Sequence, residues 1–266
     1  SVPAPTILNG PLVIGRLTYD MLRNIGKGGF GEVFKGEAWL PHEGKRTGYI
    51  KKPVAIKRAL PLTKVAADVN KHLEQQTRRL KSLEREAAVY FSRNLNTGTC
   101  RHLTLLYDVA EVRNSDGDRE PLLVMQWADG PCSSLGQWLK KHAGQCAATI
   151  QQRLSFVLQM FAGLRELHYG GDYVLSDKGA GGSFADPASA AASHASSPTP
   201  AYVHQDLKPE NLLLFGEGGP VRLALTDFGL TMMCNLPNHA YRGGTTLYMA
   251  PEQWLGQPAR TPARDI

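Results

Sequence analysis

The periodicity of the apolar residues changes once, and abruptly. Before about Val65 the chain reads as strands: "LTYDMLRNIG" and "EVFKGEAWL" half-alternate and are joined by "KGGFG", and "KKPVAIKRAL" is a third run rich in residues that favour a pleated, half-buried surface. From about Val65 to Asn94, Leu73, Leu80, Leu83, Ala87 and Tyr90 recur at helical spacings, and Glu74 stands one turn before Arg78. That pattern predicts one long amphipathic helix. A sheet followed by helices implies an α+β fold, with a small sheet-rich part preceding a mainly helical one.

Two further strands are predicted at "LTLLYDVAEVRN" and "EPLLVMQW", around an Asp116-Gly117 turn. A second helix is expected from Thr149, where "TIQQ" offers a capping box and Ile150, Leu154, Val157, Phe161, Leu164 and His168 follow at intervals of four and three. From Gly170 to about Pro200 the pattern stops. "GAGGSFADPASAAASHASSPTP" is small, polar and rich in Pro and Gly, so it reads as a flexible insertion. Two short apolar runs, "NLLLF" and "VRLALTDF", follow it, and then an irregular stretch to Glu252.

Composition narrows the class. The 266 residues allow one large domain or two unequal lobes. With 42% apolar and 20% charged residues, the chain has the make-up of an ordinary globular protein. No apolar run approaches a membrane span. The net charge of +6 suits an anionic ligand, but much of the excess lies in "NKHLEQQTRRLKSLERE", where signs alternate as on a solvated helix face, so nucleic-acid binding is not expected. Cys100, Cys132, Cys146 and Cys234 show neither CxxC spacing nor a disulfide framework, which fits a reducing, intracellular compartment. The chain opens without a methionine and closes at Ile266 in mid-pattern, as a piece of something longer would.

Several motifs bear chemistry. "GKGGFGEV" sets Gly26, Gly28 and Gly31 in a turn between strands, where bare backbone can approach phosphate oxygens. In "VAIK", Val54 and Ile56 face one side and Ala55 and Lys57 the other, so a planar ring can lie against Ala55 while the ammonium reaches phosphates. A carboxylate from the long helix is needed to hold that ammonium. Glu86, flanked by Leu83 and Tyr90 on the apolar stripe, is preferred, with Glu84 the alternative. "YVHQDLKPENLLL" gathers Asp206, able to accept or orient a hydroxyl proton, Lys208, able to neutralise a phosphoryl group in flight, and Asn211, able to hold a cation through its amide oxygen. "TDFG" adds Asp227, a hard oxygen ligand suited to Mg²⁺.

The order of these motifs, closing with "APE" at Ala250 to Glu252, is that of the protein-kinase signature. From about Leu17 to the last residue the sequence resembles the eukaryotic protein kinase family, serine/threonine type. The resemblance implies an α+β, two-lobed protein-kinase-like fold. Residues 1–16 would be an N-terminal extension and 17–125 a small β-rich lobe with one long helix. Residues 126–266 would be a mainly helical lobe, truncated at the start of its central helix and carrying the insertion at about 170–200. It implies transfer of the γ-phosphoryl of MgATP to a protein Ser or Thr hydroxyl. Gly26, Gly28, Gly31 and Lys57 would bind the nucleotide phosphates, with Glu86 holding Lys57, and Ile25 would be a further cofactor-binding residue. Val33, Ala55 and Leu213 would sandwich the adenine, Met125 would guard the back of its pocket, and Gln126 to Ala128 would form the hinge. Asp206 and Lys208 would be catalytic, and Asn211 and Asp227 would hold magnesium. Thr245 in "GTTLYMAPE" matches the threonine lining the acceptor-hydroxyl site. The alternative is a pseudokinase or nucleotide-binding scaffold, against which Lys57, Asp206, Asn211 and Asp227 speak.

Four departures from the family pattern carry expectations. Gln205 replaces the arginine that clamps an activation-segment phosphate, and an amide cannot pair with a dianion as a guanidinium does, so activity independent of phosphorylation there is expected. The insertion stands where relatives pass almost directly into the catalytic loop. The ribose-facing position holds Cys132 or Ser133 rather than an acid. Asp265 matches the aspartate that bonds back to the catalytic loop, and Glu252 is without the arginine partner that family members supply further on.

Overall fold

The computed structural model describes residues 12–14, 17–28, 31–41, 49–60, 69–93, 100–113, 119–147, 149–170, 201–216, 220–234, 243–257 and 261–266. The insertion expected at 170–200 lies, from residue 171, outside the described residues, as do the Asp116-Gly117 turn and most of the 1–16 extension.

The first half is an antiparallel sheet of six strands: β1 (Leu12–Ile14), β2 (Leu17–Lys27), β3 (Gly31–Pro41), β4 (Tyr49–Ala59), β5 (Leu106–Arg113) and β6 (Arg119–Gln126), in the order β1-β2-β3-β4-β6-β5. Alternation assigns the faces. Val54 and Ile56 of β4 bury with Tyr19, Phe34, Ala38, Leu122 and Val124 on one side. Ala55 and Ala59 bury with Leu123 and Met125 on the other, against Leu83, Ala87 and Tyr90 of helix α1 (Val69–Ser92). Within the expected Val65 to Asn94, the described residues carry the helix over Val69–Ser92, and Leu80, Leu83, Ala87 and Tyr90 of the expected stripe pack on the core.

After β6 come α2 (Leu135–Lys141) and α3 (Ile150–Tyr169). Next are β7 (Tyr202–Val203), the hairpin β8 (Leu212–Phe215) and β9 (Arg222–Leu225), β10 (Met232–Met233) paired to β7, and the short helix α4 (Pro251–Trp254). The expected "NLLLF" and "VRLALTDF" runs are thus the two hairpin arms. Ser134 caps α2, its hydroxyl accepting from Gln137 N at 3.3 Å.

Two expectations for α3 need correction. Thr149 makes no capping bond: its hydroxyl donates to Gln145 O at 2.8 Å and accepts from Arg153 Nε at 2.9 Å. The stripe begun at Ile150 is packed only at its end, since Ile150, Leu154, Val157 and Phe161 are exposed while Leu164 and His168 are buried. The buried face is Phe156, Gly163, Leu164, Leu167 and His168. Apolar residues surround this helix on most sides, so spacing alone admits more than one stripe. Close approach decides: a Cβ on Gly163 would lie 2.7 Å from His102 O, so the backbone of residue 102 presses on the glycine face.

One buried cluster runs from Ala55 and Leu83 through Leu103 and Leu106 to Trp138, Phe156, Leu167 and Leu225, joining the sheet to α2, α3 and the hairpin. Polar ties reinforce it. Arg93 at the end of α1 donates to Leu167 O, and Thr104 N and Oγ1 both donate to Leu225 O. Among the described residues no helix is long and apolar enough to cross a membrane.

Candidate active site

The turn between β2 and β3 carries Gly26, Gly28 and Gly31. Gly28 N donates to Gly31 O at 2.8 Å, and a Cβ on Gly31 would lie 2.5 Å from Arg58 O, so the bare backbone is required there. Gly26 opens onto free space and Ile25 beside it is exposed. Beneath the turn, Arg58 Nε meets Glu32 Oε1 at 2.6 Å and Asn24 Nδ2 donates to Glu32 Oε2 at 3.1 Å, a brace that sequence reading missed.

One strand further in, Lys57 pairs in register with Val33 on β3 and Leu123 on β6. Its Nζ lies 2.6 Å from Glu86 Oε2 on α1 and 2.6 Å from Asp227 Oδ1 after β9. The helix therefore offers Glu86, while Glu84, the alternative, is exposed. The side chain of Glu86 is 1% exposed, whereas that of Asp227 is 42% exposed. Burial opposes the charge on Lys57, but Asp227 and Glu86 outweigh it and hold the ammonium above its ordinary range. Burial pushes the Glu86 carboxyl up against the pull of Lys57. For Asp227 burial works in the same direction, yet Lys57 wins and the carboxyl stays below the usual range.

Asp227 sits at φ +65°, a left-handed conformation uncommon outside glycine. Its neighbours hold it there. The Phe228 ring is fully buried, edge-on to Tyr90 at 5.1 Å and to His204 at 5.5 Å between centroids. Gly229 O accepts from Ser82 Oγ at 3.1 Å and Arg85 Nη1 at 3.0 Å, both on α1. A Cβ at Gly229 would meet Ser82 Oγ at 2.5 Å, so this glycine is a contact surface for the helix. The position of α1 is thereby linked to that of Asp227.

Asp206 is the hub of the second cluster. Its Oδ1 accepts from Thr245 N at 2.7 Å and Thr245 Oγ1 at 2.8 Å, and its Oδ2 from Lys208 Nζ at 2.7 Å and Asn211 Nδ2 at 3.2 Å. Lys208 also donates to Thr245 Oγ1 at 2.8 Å. Asn211 spends its amide nitrogen on Asp206, including its backbone O at 2.9 Å. Its carbonyl oxygen is then the atom with which it can hold a cation. The hairpin register explains how Asn211 and Asp227, distant in sequence, come together: Leu212 pairs with Leu225, and Thr226 N donates to Asn211 O at 3.0 Å. One carboxylate and one amide oxygen suit Mg²⁺, which completes its shell with water and phosphate oxygens.

Ala55 pairs directly with Met125, whose sulfur accepts from Tyr90 Oη at 3.4 Å, and Val33 packs on the same cluster. Leu213 lies half-buried on β8, bridged to Ser134. Gln126 donates its N–H to Leu105 O at 2.9 Å, its side-chain oxygen accepts from Arg222 Nη2 at 3.0 Å, and Ala128 is half-buried beyond it. Cys132 packs partly buried against the core, and Ser133 is exposed.

The loop before Asp206 is anchored from the far end of the chain. Asp265 accepts from His204 N at 2.7 Å, Gln205 N at 3.0 Å and His168 Nε2 at 2.9 Å. Gln205 is buried at φ +68°, and among the described residues neither atom of its side-chain amide has a partner. His168, read from the sequence only as an apolar-stripe residue of α3, is part of this anchor. Thr231 is 1% exposed, and among the described residues its hydroxyl has no partner.

No family model matches the chain. Three curated proteins are similar to it over short stretches. Serine/threonine-protein kinase PkaA of Streptomyces coelicolor is 42% identical over 80 residues, covering 29% of this chain and 14% of its own. Probable serine/threonine-protein kinase 2 of Plasmodium falciparum is 46% identical over 50 residues, covering 19% and 10%. Calcium/calmodulin-dependent protein kinase type 1 of Macrobrachium nipponense is 41% identical over 56 residues, covering 21% and 16%. The matched stretches thus span at most 16% of these relatives' lengths. Each relative is named as a serine/threonine protein kinase or as a calmodulin-dependent one, and the chain is similar to the eukaryotic-like serine/threonine protein kinase family.

Proposed function

We propose that this chain forms the catalytic part of an ATP-dependent serine/threonine protein kinase. Residues 17–125 would act as a small lobe and the chain from Gln126 as a larger one, with nucleotide between them. The carrying observation is that a single ammonium, Lys57, is bonded both to Glu86 and to Asp227, while Asp206, Lys208 and Thr245 converge on one another.

The chemistry follows from these residues. Gly26, Gly28 and Gly31, with Ile25 at their edge, lie over the phosphates of ATP, and Lys57 pairs with two of them. Val33, Ala55, Leu213 and Met125 enclose the adenine, and the backbone from Gln126 to Ala128 reads its edge. Asn211 and Asp227 hold Mg²⁺, which supplies neutralisation of phosphate charge. Asp206 orients the acceptor hydroxyl and takes its proton as the oxygen attacks the γ-phosphorus. The bond to the bridging oxygen of ADP then breaks, with Lys208 beside the phosphoryl oxygens in transit. Thr245, bonded to Asp206, lines the acceptor site and favours a Ser or Thr hydroxyl. Use of ATP suits an intracellular setting.

Gln205 and Thr231 support activity without a phosphate on the segment after Asp227. An amide offers no fork for a dianion, and the Thr231 hydroxyl is buried. Incubation of the full-length protein with γ-labelled MgATP and a basic protein, followed by phosphoamino-acid analysis, tests the reading. Label on Ser and Thr is expected. Label on Tyr alone would refute the specificity, and no label with retained nucleotide binding would favour the pseudokinase.

A further inference from the structure

We infer that Gln253 is a positioning residue: a side-chain strap that holds the segment carrying Thr245 against the loop carrying Asp206, in a covalently unmodified chain. The inference rests on the kinase reading and adds how that segment is kept in place. Gln253 is 3% exposed, and its amide nitrogen donates to two carbonyls, Gln205 O at 2.7 Å and Gly243 O at 2.5 Å. Its own backbone is fixed in α4, where Gln253 N donates to Ala250 O at 3.0 Å.

The surroundings are shaped for this contact. Gln205 takes φ +68°, with its N–H on Asp265 and its C=O on the strap. Gly244 takes φ +118°, and a Cβ there would lie 2.7 Å from Gln205 O and 2.8 Å from Gln253 Nε2, so only glycine lets the two segments close. The next residue is Thr245, bonded to Asp206 through both its backbone and its hydroxyl. Two carbonyl oxygens facing one nitrogen require a side chain with two N–H bonds and no net negative charge. Glutamine meets this, whereas a glutamate of the same shape has no proton to give once ionised. Among the described residues the side-chain amide of Gln205 has no partner, so Gln205 meets Gln253 through its backbone carbonyl, beside the bonds of Thr245 to Asp206 and Lys208.

The test uses the full-length protein with Gln253→Glu, Gln253→Leu and, leaving Gln253 untouched, Gly244→Ala. Hydrogen exchange at residues 243–249 is followed, and KM for a protein substrate and for ATP are measured separately. Loss of a buried hydrogen bond corresponds to about tenfold in an equilibrium. Exchange in the segment should therefore quicken about tenfold, and KM for protein should rise about tenfold, while KM for ATP stays within about twofold. Unchanged exchange in all three variants would overturn the strap, as would acceleration spread over the whole chain. Local acceleration in a protein whose wild type transfers no phosphoryl group would support the strap and refute the kinase reading alone.

Discussion

Replacing Lys57 by Met should produce a loss of stability that disappears on acidification. In the folded chain Lys57 Nζ is 2.6 Å from both Glu86 and Asp227, and the two carboxylates differ sharply in exposure, 1% against 42%. Without the ammonium, Asp227 keeps some contact with water, whereas Glu86 becomes a fully buried, uncompensated charge. Removing one partner of a buried pair costs about 3–5 kcal/mol. Burial already raises the Glu86 carboxyl, and losing Lys57 removes what opposes that rise. The sign follows: the penalty is complete above the raised pKa of Glu86 and is lost as pH falls and the carboxyl takes up a proton, at up to about 1.4 kcal/mol per pH unit. Urea unfolding of the full-length protein between pH 8 and pH 5 should show wild type and Lys57→Met converging toward acid. The double variant Lys57→Met with Glu86→Leu should lie within about 1 kcal/mol of wild type at pH 8, since an apolar pair replaces a buried ion pair at little cost. Parallel curves across the range, or a double variant no better than the single one, would refute the reasoning.

Asp265→Ala should destabilise the protein by about 3 kcal/mol or more, because it orphans the buried N–H groups of His204 and Gln205 together; a thermal shift within about 1 °C of wild type would contradict this. Thr231→Val should leave the protein as stable as wild type or up to about 1–3 kcal/mol more so, with phosphoryl transfer intact, since among the described residues its buried hydroxyl has no partner to lose. Loss of turnover in that variant, restored by Thr231→Glu, would mean that a phosphate there is needed after all.

The legible parts of the sequence were those where one periodicity or one motif decides. The stripe on α1 fixed which face of the helix turns to the sheet, and with it Glu86 rather than Glu84 beside Lys57. The order of motifs named the residues that the hairpin and the α1–β4 contact bring together. On α3 the same counting misled, because apolar residues nearly surround the helix and the packed face is chosen by Gly163 against the backbone of His102. The Thr149 capping box failed for a related reason: its hydroxyl had a competing donor in Arg153, one turn on. The Glu32–Arg58 brace, the His168–Asp265 anchor and the Gln253 strap are pairings across 26, 97 and 48 residues, and no local pattern announces them. The first follows from strand register, which sets Glu32 opposite Arg58 in β3 and β4, whereas the strap depends on the backbone turns at Gln205 and Gly244.

The central claim is that the cluster around Asp206 and Asp227 transfers phosphoryl groups rather than merely holding a nucleotide. The most direct measurement is ADP release by the full-length protein with Mg²⁺ and a basic protein substrate, alongside ATP binding, in wild type, Asp206→Ala and Asp227→Asn. Turnover is expected in wild type only, with Asp206→Ala still binding ATP and Asp227→Asn losing its Mg²⁺-dependent binding. Equal ADP release in all three, or none in wild type despite tight MgATP binding, would contradict it.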